Sequence, residues 1–461
     1  MKPRKTQLVK SQSARARPKA SQPATPKLAP AEAVQPQLVT IEKAIYGGAF
    51  LARIDGKATF VPLTLPGEHA RIRIVEDKRG YATAEIQQIV TIAPERVAPK
   101  CAHFGVCGGC HYQHANYATQ LIFKQAILRE TLQRGGVQPA EEIAVLSATL
   151  PSQSWAYRNR IRLAFDARGN FGYRGLRSHS ITHIRECPIA APLLVEAARV
   201  FAEVIRQSAP NLHPTELLLF CNADETALLA SVFTANPHKV RFDELADVVH
   251  ERVPALQGVE LVTEVNTSER SGSGAKWGAT SISYRAAGFD YRVDHGAFFQ
   301  VNRWLVDALV DRVTAGQSGT LAWDLFAGVG LFARRLASSF ARVIAVESAP
   351  AAVSALQQNL NGTAATAVHA ATLDFLHRAR KGERPDLIVV DPPRTGLGAE
   401  ITALLAQIAA PRLVYVSCDP ATLARDLNAL IATGYQIESI TLADLFPQTF
   451  HMETVVHLHR S

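Results

Sequence analysis

The chain has 461 residues, 47% apolar and 20% charged, a globular balance with room for two or three ordinary cores. Its net charge is +8, and +7 of that sits in residues 1–36, where Lys2, Arg4, Lys5, Lys10, Arg15, Arg17, Lys19 and Lys27 face only Glu32. No charge-free apolar run reaches the about 18 residues of a membrane span and no hydrophobic signal segment opens the chain, so membrane and secreted classes are set aside and a cytoplasmic location is expected.

Residues 1–36 are rich in Pro, Ser, Ala and Gln, with too little apolar surface to offset ordering entropy, and read as a disordered basic arm. Such an arm suits RNA and serves solubility equally well. Residues 37–93 alternate in short runs, LVTIEKAI, AFLARI and KATFVPL, parted by Gly47-Gly48 and Asp55-Gly56 turns. That spacing predicts a small antiparallel β-barrel, a shape that often binds oligonucleotides without proving it. Residues 94–300 read as a central α+β domain with a helix over Tyr117–Arg134. From residue 301 to 461 the runs LAWDLF, RVIAVES, DLIVVD and LVYVSC each precede a helical or loop stretch, the alternation of a doubly wound parallel sheet. The fold class is therefore α/β.

Cys101, Cys107 and Cys110 cluster, while Cys187, Cys221 and Cys418 stand apart. In a reducing compartment the cluster favours metal or catalysis over disulfides, and Cys187-Pro188 offers a fourth thiolate. Four thiolates suit zinc and a [4Fe-4S] cluster alike, and His103, His111 and His114 are near enough to compete. Cys221, in ELLLFCNAD, reads as a buried strand residue.

WDLFAGVGLFARRLA places Gly328 and Gly330 between a strand and a helix, with Glu347 at the end of the next strand. A dinucleotide site has this spacing, so a nicotinamide oxidoreductase competes. Asp324 weighs against it, because a carboxylate before the glycines repels a pyrophosphate but suits the ammonium of S-adenosylmethionine. Ligands on such sheets sit beyond the strand C-termini, where Asp391-Pro-Pro and Cys418 also fall. Asp419 and Pro420 look like the cap and first residue of a helix, an environment that lowers a thiol pKa, opposed by Asp419 itself. A thiolate beside a methyl donor has a use: added at C6 of a pyrimidine, it makes C5 nucleophilic. Removing the C5 proton afterwards needs a base, and Glu453 in FPQTFHMETVVHL is the candidate.

Residues 155–187 carry arginines at 158, 160, 162, 168, 174, 177 and 185, interleaved with Trp155, Tyr157, Phe165, Phe171 and Tyr173. Arginine pairs with phosphate and aromatics stack on unpaired bases, so this stretch is a candidate RNA surface; an amphipathic sheet with a solvated basic face is the alternative.

The segments FFQVN (298–302), DLFAGVG (324–330), VES (346–348), VVDPPRTG (389–396), VSCDP (416–420) and FHMET (450–454) resemble the RNA uracil-C5 methyltransferase family. From about residue 37 onward the chain is similar to its bacterial 23S rRNA branch, which carries an N-terminal TRAM barrel, OB-like in form, before a Rossmann-like class I methyltransferase domain. The resemblance implies that Gln300, Phe326, Glu347 and Asp374 line S-adenosylmethionine, that Asp391 lies between cofactor and base, that Cys418 is the nucleophile and that Glu453 accepts the proton. It also implies a structural [4Fe-4S] cluster on Cys101, Cys107, Cys110 and Cys187. The chain departs from the family at Leu331, often Asn, and at Phe450, often Gly. The expectation is uracil-C5 methylation of RNA, 23S rRNA before tRNA, by a monomer; a catalytically silent RNA-binding iron-sulfur protein is a third reading.

Overall fold

A computed structural model describes residues 36–137, 146–176, 178, 180–235, 241–263 and 272–460. The predicted disordered arm, Pro36 apart, and Arg177 lie outside the described residues.

Strands β1 (Gln37–Ala44), β2 (Ala49–Ile54), β3 (Lys57–Pro62), β4 (His69–Asp77) and β5 (Tyr81–Thr91) close into a barrel in the order β1-β2-β3-β5-β4. Inward positions such as Val39, Ile41, Ala70 and Ile72 are buried and their neighbours exposed, as a period of two requires. Gly47 and Gly48 turn β1 into β2 at φ +100° and +84°, open to glycine without strain. One pairing differs from the expected antiparallel barrel: β3 and β5 run parallel. Five strands cannot alternate direction all the way round a closed ring, so one pair must be parallel. Where the chain leaves the barrel, the buried Glu68 accepts hydrogen bonds from Leu65 N (2.7 Å), Ala93 N (3.3 Å) and Arg96, whose Nε and Nη2 lie 2.6 and 2.8 Å away.

Helix α1 (Tyr117–Arg134) falls where predicted, capped by Asn116, whose side chain accepts from Thr119 N at 3.0 Å. Strand β6 (Leu146–Leu150) follows. Then come β7 (Arg160–Phe165), β8 (Phe171–Arg174), β9 (Ile181–His183), α2 (Pro192–Ser208), β10 (Pro214–Cys221), β11 (Leu228–Thr234), α3 (Phe242–Arg252), β12 (Leu256–Thr263) and β13 (Gly272–Gly278). Their seven strands form one sheet, β13-β12-β11-β10-β7-β8-β9, with α2 and α3 in its core. Cys221 is buried at the end of β10. A two-stranded ribbon, β14 (Ser281–Ala286) and β15 (Phe289–Asp294), leads onward.

The arginine-aromatic stretch does not form the expected stacking platform. Tyr157, Phe165 and Phe171 point into the core, and Arg160 lies over Phe220 and donates to Ala297 O at 2.7 Å. The aromatics alternate inward because burying a ring gains more than exposing it. Arg162, Arg168, Arg174 and Arg185 remain on the exposed face, nearer the amphipathic-sheet alternative.

The last part comprises α4 (Val306–Thr314), β16 (Gly319–Leu325), α5 (Leu331–Leu336), β17 (Phe340–Glu347), α6 (Pro350–Leu360), β18 (Ala365–His369), α7 (Thr372–Ala379), β19 (Leu387–Val390), α8 (Gly398–Ile408), β20 (Arg412–Ser417), α9 (Pro420–Ile431), β21 (Tyr435–Ala443) and β22 (Glu453–Arg460). The sheet order is β18-β17-β16-β19-β20-β22-β21-β6. Strands β16 to β20 are parallel, and β22 is antiparallel to both β20 and β21. The order reverses between β16 and β19, which places the ligand crevice at their C-terminal ends. Residues 94–300 do not keep to one sheet: β6 adds to the edge of this one, and α1 packs on α9. Barrel, α1 and this eight-stranded sheet share one hydrophobic core.

Burial pushes the Glu68 carboxyl up, but the hydrogen bonds from Arg96, Leu65 and Ala93 outweigh it and hold the group below its ordinary value. A depressed carboxylate stabilises the fold above the unfolded pKa of about 4.3 and loses that contribution as pH falls. Glu68→Gln should cost about 1–3 kcal/mol in urea unfolding at pH 7, and the gap to the native chain should narrow as pH drops below about 4.

Candidate active site

Strand β20 is an apolar run, buried from Leu413 to Ser417, and it ends at the half-buried Cys418. The chain turns at once into α9. Asp419 takes extended backbone and its Oδ1 accepts from Ala421 N and Thr422 N, both at 3.0 Å, with Pro420 as first helical residue. Strand end and helix cap thus hold Cys418 from both sides. Pairing of Ser417 with Thr454 sets the start of β22 beside it, so Glu453, far off in sequence and 4% exposed, comes to the thiol. Asp391 follows β19, the strand on the other flank of β20.

These acids crowd one another. Burial, then the charges of Glu453 and Asp391, push the Cys418 thiol up to about 12, with Asp419 adding and Arg394 opposing. The expected lowering by the helix N-terminus is overturned, because desolvation and three carboxylates outweigh one helix end. Burial, then Asp391, holds Glu453 well above the usual carboxylate range against the pull of Arg394. Burial lifts Asp391 to about 7. Sequence reasoning passed over Arg394, though it stands in the DPPR segment, and two neighbours, His451 and Tyr46. His451 Nδ1 lies 3.3 Å from Arg394 Nη2 and is pushed down to about 3 by burial, then Arg394 and His111, so it is neutral. Tyr46, from the barrel, donates to Asp419 Oδ2 at 3.0 Å. Phe450 packs edge-on against Tyr46 at 5.4 Å and His111 at 4.6 Å, which is the shape that replaces a glycine there.

The crevice beyond β16 and β19 is lined by Phe298, Gln300, Phe326, Gly328, Leu331 and Asp391, among others. Phe326 takes φ +64°, a left-handed conformation costly for an aromatic residue and common at functional turns. Gln300 Nε2 donates to Asp391 Oδ2 at 3.3 Å, tying the crevice to the thiol's surroundings. Glu347 clamps the glycine loop: Oε2 accepts from Gly328 N at 2.8 Å, and Oε1 from Ser348 N and Ala349 N at 2.7 Å. Asp324 is buried, accepts from Ala333 N through Oδ2 at 2.8 Å, and leaves Oδ1 without a partner. Burial lifts it to about 8. Leu331 lines the crevice with a buried side chain, so no polar contact comes from that position. Asp374 is exposed in the first turn of α7 and does not line the crevice.

Cys101, Cys107, Cys110 and Cys187 line a second cavity, of about 80 Å³, with Arg158 and Tyr173. Gly109 N donates to Cys107 Sγ at 3.4 Å and Tyr173 OH to Cys187 Sγ at 3.8 Å. Burial raises the thiols of Cys101, Cys107 and Cys110, the last to about 12, and the charge of Cys187 acts on each. As placed, they do not form a group of three or more that could hold a metal ion, nor does any other His, Cys, Asp or Glu set among the described residues. Two of the competing histidines are committed elsewhere, His114 to Thr64 O at 2.9 Å and His111 to Phe450. His103 accepts from Arg185 N at 3.2 Å.

The tRNA (uracil-5-)-methyltransferase family model matches residues 279–461 and the TRAM domain model residues 30–87. A 23S rRNA (uracil(1939)-C(5))-methyltransferase of Klebsiella pneumoniae is 32% identical over 427 residues, 90% of this chain and 93% of the relative. An uncharacterized RNA methyltransferase of Thermotoga maritima is 30% identical over 435 residues, 91% and 98% of the two chains. The structure of the Pyrococcus abyssi tRNA (uracil-54, C5)-methyltransferase with S-adenosyl-L-homocysteine superposes with a TM-score of 0.72 at 25% identity, covering 92% of this chain and all of that one. Likeness of this extent, over barrel, central sheet and thiol-bearing crevice together, makes the chain a member of the RNA uracil-C5 methyltransferase family.

Proposed function

We propose that the protein methylates C5 of a uracil in 23S rRNA with S-adenosylmethionine as donor, Cys418 as nucleophile and Glu453 as base. One observation supports the reading: β20 and β22 pair so that a half-buried thiol and a buried carboxylate stand close enough to act on each other, and both feel Asp391, which lines the crevice. Neither group has a part in hydride transfer, which removes the support for a nicotinamide enzyme, and a silent scaffold has no use for an acid held against a thiol. The rRNA relatives are 32% and 31% identical to this chain and the tRNA enzyme 25%, over similar lengths, which favours rRNA over tRNA.

Gln300, Phe326 and Glu347 would hold the cofactor, with Asp391 between it and the thiol. The buried Asp324, with an oxygen to spare, is the nearby acceptor for an ammonium. The free space there is about 30 Å³, an order below a ligand pocket of roughly 300 Å³, so the lining must open when the crevice fills. Bound S-adenosylmethionine supplies an electrophilic methyl group. Cys418 sulfur bonds to C6 of the uracil as its proton passes to an adjacent carboxylate, and the enolate so formed makes C5 the nucleophile that takes the methyl. Glu453 then removes the C5 proton, and that electron pair restores the C5–C6 double bond as the sulfur leaves. The base must lie unstacked in the site, turned out of its RNA fold. Such RNA would be met in the cytoplasm.

Cys101, Cys107, Cys110 and Cys187 would hold a [4Fe-4S] cluster. Support comes from four of the six cysteines, brought from two distant segments to one cavity, a soft donor set that iron-sulfur chemistry uses. Its part is structural, because methyl transfer moves no electrons.

Cys418→Ala should abolish transfer of labelled methyl to RNA, and Glu453→Gln should trap a protein-RNA adduct on denaturing gels. A methylating Cys418→Ala chain would end the mechanism, and a label appearing in tRNA alone would end the rRNA assignment. Because the accepting carboxylates must be ionised, kcat/KM should rise between about pH 6 and 8. Asp391→Asn removes a charge that raises Glu453, so this limb should move to lower pH. Chain purified without oxygen should carry about four irons and an absorbance lost in Cys110→Ser; iron-free chain with zinc bound would overturn the cluster assignment.

A further inference from the structure

Between β21 and β22 the segment Asp444–Met452 leaves the sheet, and it returns as Glu453. It also carries Phe450 against Tyr46, which holds Asp419, and His451 against Arg394. Much of what holds this loop comes from one stripe of α1. Lys124 and Asp444, both fully buried, pair at 2.6 Å, and Lys124 Nζ also donates to Phe446 O at 3.0 Å. A turn earlier, Gln120 exchanges two hydrogen bonds with Gln448: its Nε2 donates to Gln448 Oε1, and its Oε1 accepts from Gln448 N, both at 2.9 Å. Tyr117 OH donates to Asp444 Oδ2 at 2.9 Å. Residues 117, 120 and 124 follow the spacing that puts side chains on one helix face.

Gln448 stands at φ +69°, a conformation non-glycine residues rarely adopt and keep only where their surroundings over-determine it. The surroundings do so, since Gln448 O also accepts from His111 N at 2.8 Å and Tyr112 N at 3.0 Å. The ion pair adds little as a source of stability, because desolvating two charges offsets most of their attraction, and a well-packed apolar pair would serve as well. What it supplies is direction: a fully buried ammonium fits one partner in one place.

We propose that Gln120 and Lys124 are positioning residues for the base. Through Gln448 and Asp444 they fix the path by which the chain enters β22, and so set the Glu453 carboxylate against Cys418. Neither bonds the thiol or the carboxylate; they act on the loop between. The inference rests on Glu453 being the base, and its distinguishing sign is a stall after methyl transfer.

The test uses full-length protein and an rRNA transcript. Gln120→Leu keeps the volume and removes both bonds to Gln448, along with those that Gln120 Nε2 donates to Tyr112 O and Ala115 O. It should lower kcat about 10- to 100-fold, the scale of a misplaced catalytic group, with KM for RNA changed by less than about twofold. Covalent protein-RNA complex should accumulate on denaturing gels as it does for Glu453→Gln. Gln120→Glu, which keeps an acceptor for Gln448 N, should recover part of the turnover. The double change Lys124→Met with Asp444→Asn leaves no unpaired ion, so the fold persists, and it should stall the same way. Adduct in Glu453→Gln but none in a folded, slowed Gln120→Leu overturns the positioning role alone, as does unchanged turnover in Gln120→Leu. Adduct in neither overturns the base assignment and this inference with it.

Discussion

A thiol and its neighbouring carboxylates crowd one partly buried space, and Arg394 is the cation set against them. Left to themselves, Cys418, Asp391, Asp419 and Glu453 would repel on ionisation or reach for solvent. The fold answers by holding each group to a rigid element. Cys418 sits between a buried strand and a capped helix, Glu453 begins the strand paired to it, and Asp391 is tied to Gln300. The crowding is resolved by protons rather than distance, since the thiol and two of the carboxyls are all displaced upward. Protons held this way are available for transfer among the groups, which is what addition and elimination at a pyrimidine require.

The walls of this space come from segments far apart in the chain. The barrel gives Tyr46, the cysteine-bearing loop runs straight into His111 and Tyr112 on Gln448, and α1 grips the loop before Glu453. The second cysteine segment is wired to the other wall: Ile189 O accepts from Arg158 N, and Asn159 Nδ2 donates to Gln300 O at 2.9 Å. The four-cysteine cavity therefore lies between the cofactor-side residue Gln300 and the base-side residue Gln448. A group that tightened it would stiffen both walls without touching the reaction.

Local signals were legible in the residues. The helix over Tyr117–Arg134 was expected where α1 lies, and Asp419-Pro420 gave the start of α9, because caps act within three or four residues. The apolar run ending at Cys418 announced a buried strand with a thiol at the ligand end. Long-range outcomes were not legible. The parallel closure of β3 on β5, the capture of β6 by the far sheet and the pairing of Lys124 with Asp444 depend on contacts across the chain that no window of sequence contains. The inward turn of Phe165 and Phe171 follows from which face the sheet buries, and aromatic-arginine alternation is the same for either choice. The sign of the Cys418 shift was missed for a related reason: the helix end was adjacent in sequence, whereas Glu453 and Asp391 were adjacent only in space.

A thiol kept protonated looks ill suited to attack, yet the displacement has a use. Thiolates are what oxidants and electrophiles consume, so a high pKa protects Cys418 while no RNA is bound. Intrinsic nucleophilicity also rises with thiol pKa, so in the proposed role the sulfur would be the stronger attacker once its proton is taken. The acceptor is at hand, because the carboxyls are raised by the same burial that raises the thiol, so burial does not widen the gap between donor and acceptor. In the proposed reaction a bound pyrimidine would deepen burial for all of them together, while Arg394 favours the charged forms of both Cys418 and Glu453.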